Sequence, residues 1–329
     1  MKLFKNLSFI LLLVIGVSCH DEITPLVPLN SSSSSSSSGS SGSSGGTPPS
    51  NSGSTGTDID ATATADNGNL LFGNPSGATH DVINYDNYLL DTKVSGTSTS
   101  SYIMSYNRTR ATPNWVSWYV GPNWVGTTDR SNDFRANPAL PSGWYEVNES
   151  SYQFSKYGFE RGHNCPSGDR TTTSSVAINQ TTFFMTNMIP QVPNNNEKTW
   201  ANLESYGRDL IDQGNEIYVI MGSYGQGGTS ANGTYSTIVD GSNTITVPSQ
   251  IWKVIVVIPK GDGDLGRVTS STRVIAVNTP NINSINSAWG GYRVSVDAIE
   301  AATGYDLLSA LPDDIEATLE AKVDTGATN

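Results

Sequence analysis

Apolar positions divide the chain into a leader, an almost apolar-free tract and a long patterned region. Residues 9–17 form a continuous apolar run behind Lys2 and Lys5. The run is too short to span a bilayer as a mature helix and has the build of a secretory signal over residues 1–18. Ser, Gly and Pro make up almost all of residues 31–54; such a tract cannot bury enough apolar surface to offset its ordering entropy, so residues 19–70 are expected to be a flexible linker. Beyond it, residues 102–106 and 115–120 are rich in aromatic and branched side chains and predict strands within 85–119, with a Pro113-bearing turn at 107–114. Residues 180–188 predict another strand, ended by Pro190 and Pro193. Residues 217–221 and 251–258 are nearly unbroken apolar runs, as central two-sided strands require, and 274–277 is a further one. The period changes at 199–213, where Trp200, Leu203, Leu210 and Ile211 recur at helical spacing ahead of a capping Gly214. Residues 294–304 and 313–321 predict two more helices. The sum is an α+β domain over residues 71–329, with a sheet core and a few helices, of a size that fits one domain.

The cysteine count sharpens the picture. Only Cys19 and Cys165 are present, and Cys19 follows Gly16-Val17-Ser18 at the end of the leader. Small residues before such a Cys resemble a bacterial lipoprotein cleavage site, and His20-Asp21-Glu22 resembles an acidic surface-export signal. Lipidation of Cys19 would anchor the protein without a spanning helix and rule out a disulfide within the chain. The expected location is therefore the outer membrane or cell surface as a lipoprotein, otherwise the periplasm or the medium.

The formal charge of the 329-residue chain is −12, which argues against a bulk electrostatic binder of nucleic acid. Much of the acid lies in the linker and in the tail, at Asp313, Asp314, Glu316, Glu320 and Asp324. Between Lys93 and Arg170 bases are in slight local excess, which leaves room for a cationic cleft.

That cleft has a candidate centre. One of three histidines, His163, stands in Glu160-Arg161-Gly162-His163-Asn164-Cys165-Pro166. On an extended chain Arg161 and His163 share a face, and Gly162 between them has no side chain to obstruct a phosphate. A neutral imidazole titrates near working pH and can take a proton from water. Arg130 and Arg135 lie on a loop, residues 129–140; taken alone, such arginines are a solvated face. Asn196, at or just before the helix start, either caps the helix or offers Mg²⁺ a neutral oxygen. Glu204, about two turns on, would face the same side. Strand, His-bearing loop, strand and helix together make a ββα unit. Cys165 is two residues from His163 and is a further, weaker candidate for a nucleophile.

With these segments in order, the chain resembles the DNA/RNA non-specific endonucleases, the ββα-metal nucleases that include the Serratia nuclease and endonuclease G. The resemblance rests on Glu160-Arg161-Gly162-His163, on Asn187-Met188-Ile189-Pro190-Gln191, and on the spacing Asn196–Trp200–Glu204. Supporting matches are Pro113-Asn114-Trp115-Val116, Arg130 with Phe134 and Pro138, Trp252-Lys253-Val254 and Val296-Asp297-Ala298-Ile299-Glu300. It implies a ββα-metal nuclease fold, with a central antiparallel sheet and flanking helices. It also implies Mg²⁺-dependent hydrolysis of DNA and RNA to 5′-phosphates, with Mn²⁺ as a substitute ion. By position, it implies His163 as general base, Asn196 as metal ligand and Glu204 as the group orienting the ion's water shell. Arg161 and Arg130 would bind phosphate, with Arg135 as the alternative to Arg130, and Asn187 would support the substrate or the site. Glu160 stands where the family commonly has Asp. The rival expectations are a catalytically inactive, surface-anchored binding module of the same fold, and a phosphodiesterase acting on other esters.

Overall fold

The computed structural model describes residues 62–329. The expected leader, Cys19 and the Ser/Gly tract lie outside the described residues. No described helix is long and apolar enough to cross a membrane.

The aromatic and branched runs form strands β1 (Tyr88–Lys93), β2 (Ser100–Asn107) and β3 (Thr112–Val120). Two short strands follow, β4 (Glu160–His163) and β5 (Met188–Gln191). The unbroken apolar runs give β6 (Asn215–Tyr224), β11 (Gln250–Pro259) and β12 (Arg273–Pro280). Between β6 and β11 lie the short strands β7 (Gly228–Ser230), β8 (Gly233–Tyr235), β9 (Thr237–Asp240) and β10 (Asn243–Thr246). The last strand is β13 (Arg293–Val294).

The main sheet has seven strands in the order β1-β2-β3-β6-β11-β12-β13, and every neighbouring pair is antiparallel. β6 and β11 sit next to each other and pair from Asn215↔Pro259 to Tyr224↔Gln250. Their buried residues alternate onto both faces, which is why neither run shows polar alternation. Trp115, Trp118, Trp200 and Trp252 are fully buried in this core; a large apolar side chain so placed contributes about 1.5–3 kcal/mol.

The helices are α1 (Phe154–Tyr157), α2 (Val176–Thr181), α3 (Ala201–Asp212), α4 (Asp264–Arg267), α5 (Val296–Thr303) and α6 (Asp313–Glu320). Helix α3 buries Leu203, Leu210 and Ile211 and packs against β6. Gly304 ends α5 in the left-handed conformation, at φ 75°.

Three local expectations change. Residues 180–188 are not a strand: they hold the end of α2 and a 3₁₀ turn, Met185–Asn187, and the strand begins at Met188. Consecutive i→i+3 bonds, from Thr182, Phe183 and Phe184 N–H to the Asn179, Gln180 and Thr181 carbonyls, lead out of α2, and Asn187 N–H closes the 3₁₀ turn on the Phe184 carbonyl, so local turn bonding overrides aromatic β propensity. Pro190 lies inside β5 rather than ending a strand; a two-stranded ribbon has open edges that tolerate a missing donor. Pro113 likewise sits in β3 opposite Tyr106, where the β2–β3 register shifts.

The folded region also begins earlier than residue 71. Asn69 donates to the Ser100 carbonyl and accepts from Tyr119 N–H, and Leu70, Leu71 and Phe72 join the core.

Candidate active site

β4 and β5 form a separate antiparallel ribbon, paired Glu160↔Gln191, Arg161↔Pro190, Gly162↔Ile189 and His163↔Met188. A second small core carries it, made of Tyr152, Tyr157, Phe159, Met185, Met188 and Val192 with Ile238, Ile245 and Val247 from the β9–β10 region. Arg161 and His163 do share a face, since both meet Phe134. The Arg161 guanidinium stacks 4.0 Å from the Phe134 ring centre, and the His163 ring packs edge-on at 5.6 Å.

His163 is 7% exposed and lies between Phe134 and Phe183, with Nε2 enclosed and unpartnered among the described residues. Burial first, then the positive fields of Arg130 and Arg161, pushes its pKa down to about 3. The imidazole is therefore neutral at any ordinary working pH, as a proton acceptor must be.

The two arginines converge on this ring. Arg130 is exposed, donates through Nη1 to Ser167 Oγ at 2.8 Å and stacks over Phe183 at 4.9 Å. Partial burial lowers the Arg130 pKa; Glu204 opposes the shift and Arg161 adds to it. Arg161 is bridged to Glu149 Oε1 at 3.1 Å. Arg135 is committed elsewhere, to Asp133 at 2.6 Å and to the Gln180 carbonyl. Of the two candidates on the loop, Arg130 is the one whose charge reaches His163.

Asn196 lies in a π-helical turn, Asn195–Trp200, that leads into α3. An unbroken α-helix would place Asn196 about 80° around from Glu204 over eight residues; the wider π turn takes back part of that rotation. Its Nδ2 donates to Glu160 Oε2 at 2.8 Å. Its Oδ1 has no hydrogen-bond partner among the described residues, and it lies inside the turn, whose N-cap position is Asn194. Glu204 is held by Lys253 Nζ at 3.4 Å. Burial raises the Glu204 carboxyl above its ordinary range, and Lys253 acts against the shift. Lys253 is itself buried in β11 between the Trp118 and Trp200 rings.

A cavity of about 1020 Å³, against whose Phe134 wall His163 packs, is lined by Arg130, Arg161, Glu160, Asn196, Phe134 and Phe154 among others. Its donor set of a free amide oxygen, with the Glu160 carboxylate beside it, is all hard oxygen and fits Mg²⁺.

Asn187 stands behind this site, fully buried. Its Oδ1 accepts from Cys165 N–H at 3.0 Å, and its Nδ2 donates to the Cys165 and Thr182 carbonyls at 2.8 and 2.9 Å. That bonding clamps the loop after His163 and leaves no atom for a substrate, so of its two expected roles the geometry gives support. The Cys165 thiol is buried, and burial pushes its pKa up to about 12, which takes away its nucleophilicity. Gly162 has a different reason from the expected one. A Cβ there would sit 2.6 Å from Gln191 Cβ, so the glycine admits the neighbouring strand rather than a phosphate.

Sequence reasoning gave no role to Lys253, Phe183, Ser167 or Glu149. For Lys253 a signal existed: it is the one charge inside the apolar run of residues 251–258.

A family model for DNA/RNA non-specific endonucleases matches residues 83–314. A nuclease of Nostoc sp. is 43% identical over 255 residues, covering 78% of this chain and 85% of that protein. The mitochondrial nuclease EXOG of Mus musculus is 30% identical over 169 residues, 49% of this chain, and the match spans 45% of that longer protein. The fold is similar to that in a solved EndoG/EndoGI complex, with a TM-score of 0.57 at 22% identity over 79% of this chain and 95% of that one. With the ribbon, the helix entrance and the family match in agreement, this chain belongs to the DNA/RNA non-specific endonucleases and is an endonuclease that hydrolyses phosphodiester bonds.

Proposed function

We propose that the protein is an exported, Mg²⁺-dependent nuclease that cuts both DNA and RNA and leaves 5′-phosphates. The observation that carries this is the cavity on which Arg130, Arg161 and Asn196 meet, with His163 packed against its Phe134 wall and under the fields of both arginines. His163 takes the proton of the attacking water. Burial and the fields of Arg130 and Arg161 hold its basicity low, and a phosphate anion on the two arginines offsets their share and raises it. The arginines hold the non-bridging oxygens as negative charge grows on them. Asn196 would hold Mg²⁺, or Mn²⁺ in its place, through Oδ1; when bound, the ion offsets charge developing on the phosphate and on the leaving 3′-oxygen. Glu160 fixes the Asn196 amide, and Lys253 fixes Glu204 near Arg130. Water is the nucleophile, so no 2′-hydroxyl is needed and both sugars are substrates. Contacts to phosphate alone give little sequence preference.

The test is digestion of plasmid and of RNA by the full chain, with Mg²⁺ and with a chelator, beside His163→Ala checked for folding by melting. Loss of both substrates only with Mg²⁺, and only in the wild type, is the expected result. A folded wild type that cuts neither across divalent ions would remove the proposal. For the anchor, incorporation of labelled palmitate into wild type but not into Cys19→Ser is expected; equal labelling would place the lipid elsewhere.

A further inference from the structure

Phe154 stands on the rim of the cavity, and no step above uses it. It is 52% exposed and belongs to neither hydrophobic core. Its mount, by contrast, is fixed on every side. Helix α1 is a single turn, and all four of its carbonyls are bonded. Phe154 O accepts from Gly158 N–H at 2.7 Å. Ser155 and Lys156 O accept from Asn232 Nδ2 at 3.2 and 3.3 Å. Tyr157 O accepts from Ser230 Oγ at 2.7 Å. The turn is entered through Gln153 at φ 43°, a left-handed conformation uncommon for a residue with a side chain, and Gln153 Nε2 is tied to the Val239 carbonyl at 2.7 Å. The turn is left through Gly158 at φ 71°, where a Cβ would meet Ser230 Oγ at 2.8 Å. A turn entered through a strained residue, with every carbonyl bonded and an exposed ring at its first position, on a cavity lined by Arg130 and Arg161, is an arrangement to present that ring.

We infer that Phe154 is a stacking platform for a nucleobase of the substrate, beside the phosphate held by Arg161 and Arg130. The inference rests on the nuclease reading of the same cavity. At about 1020 Å³ the cavity has room for more than a phosphate group. Every base has a π face, so stacking tolerates any sequence. A base inside a duplex is already stacked on its neighbours, so the platform favours unpaired strands.

The test is binding of a short single-stranded DNA containing 2-aminopurine, in chelator, so that it does not depend on cleavage. The wild type is expected to quench the fluorophore. Phe154→Ala and Phe154→Leu are expected to lose the quenching and to bind about tenfold more weakly, in keeping with one lost base stack, while Phe154→Tyr keeps both. Duplex affinity should change less than single-strand affinity, and in cleavage the loss should appear in KM rather than kcat. Equal affinity and quenching in wild type and Phe154→Ala would overturn the inference, as would a wild type that binds no single strand. A wild type that cuts DNA with an indifferent Phe154→Ala sinks the platform and keeps the nuclease. Phe154-dependent quenching without cleavage does the reverse.

Discussion

Asn196 Nδ2 donates to Glu160 Oε2 at 2.8 Å, a bond across 36 positions of sequence. An ionised carboxylate can only accept, so the amide nitrogen must face Glu160 and the amide oxygen must face away from it. The residue before the Arg-Gly-His run thus orients the side chain proposed to hold the metal. Glu160→Ala should raise the midpoint of the Mg²⁺ titration about 10–100-fold, the usual effect of losing such a support, with kcat at saturating Mg²⁺ within a few-fold of wild type. An unmoved midpoint would show that Asn196 is oriented by something else.

Arg161 reaches its proposed phosphate in competition with Glu149, its partner at 3.1 Å. Glu149 is exposed, and an exposed pair is worth about 0–1 kcal/mol. Glu149→Gln should therefore lower KM for DNA by up to about fivefold, with kcat little changed, and steepen the salt dependence of binding. A higher KM would mean that the bridge positions Arg161 rather than occupying it.

Asn187 makes three buried hydrogen bonds to the loop after His163 and to Thr182. Asn187→Leu keeps the volume and strands a buried N–H and two carbonyls. The expected loss of stability is about 2–4 kcal/mol by chemical denaturation. A change below about 0.5 kcal/mol would show that the loop is held without it.

Two buried groups make stability depend on pH from opposite sides. His163 titrates near 3 when folded against an ordinary 6.5. Between those values the unfolded chain holds a proton that the folded chain does not, so stability rises with pH. The contribution is full above 6.5 and is lost as pH falls towards 3. His163→Ala should therefore lose less melting temperature than wild type between pH 6.5 and pH 4. Glu320 behaves oppositely. Burial first, then Glu300, Glu316, Asp297 and Asp306, pushes it up to about 8 from 4.5. Its contribution is present below 4.5 and is lost as pH rises through 8. Glu320→Gln should melt above wild type at pH 9, and parallel melting curves across pH would refute either assignment.

Much of the fold and of the site is legible in the sequence. Residues 217–221 and 251–258 announced central strands because a strand buried on both faces needs no knowledge of its partners. Arg161 and His163 were paired by simple alternation. What stayed hidden depended on neighbours distant in sequence. Gly162 is small because of Gln191 on the adjacent strand, Asn187 matters because of Cys165 and Thr182, and Lys253 is tolerable inside the core only because Glu204 and two indoles meet it. The segment at 180–188 misled because its aromatics favour a strand while its backbone closes a turn.

The π-helical turn at Asn195–Trp200 carries one more meaning. Such a turn is one residue longer than the α-helical path between the same points. Deleting a single residue from it between Asn196 and Trp200 would let the helix run on in regular register and bring Asn196 to within about 20° of Glu204, whereas forcing the full-length segment into a regular α-helix would set the two about 80° apart. The turn thus absorbs one extra residue without moving Asn196 off the side of the helix that Glu204 faces, and the sheet would not notice the difference. Among relatives, a one-position gap at this point is therefore compatible with both the architecture and the chemistry, whereas substitutions that straighten the turn at full length would turn Asn196 away.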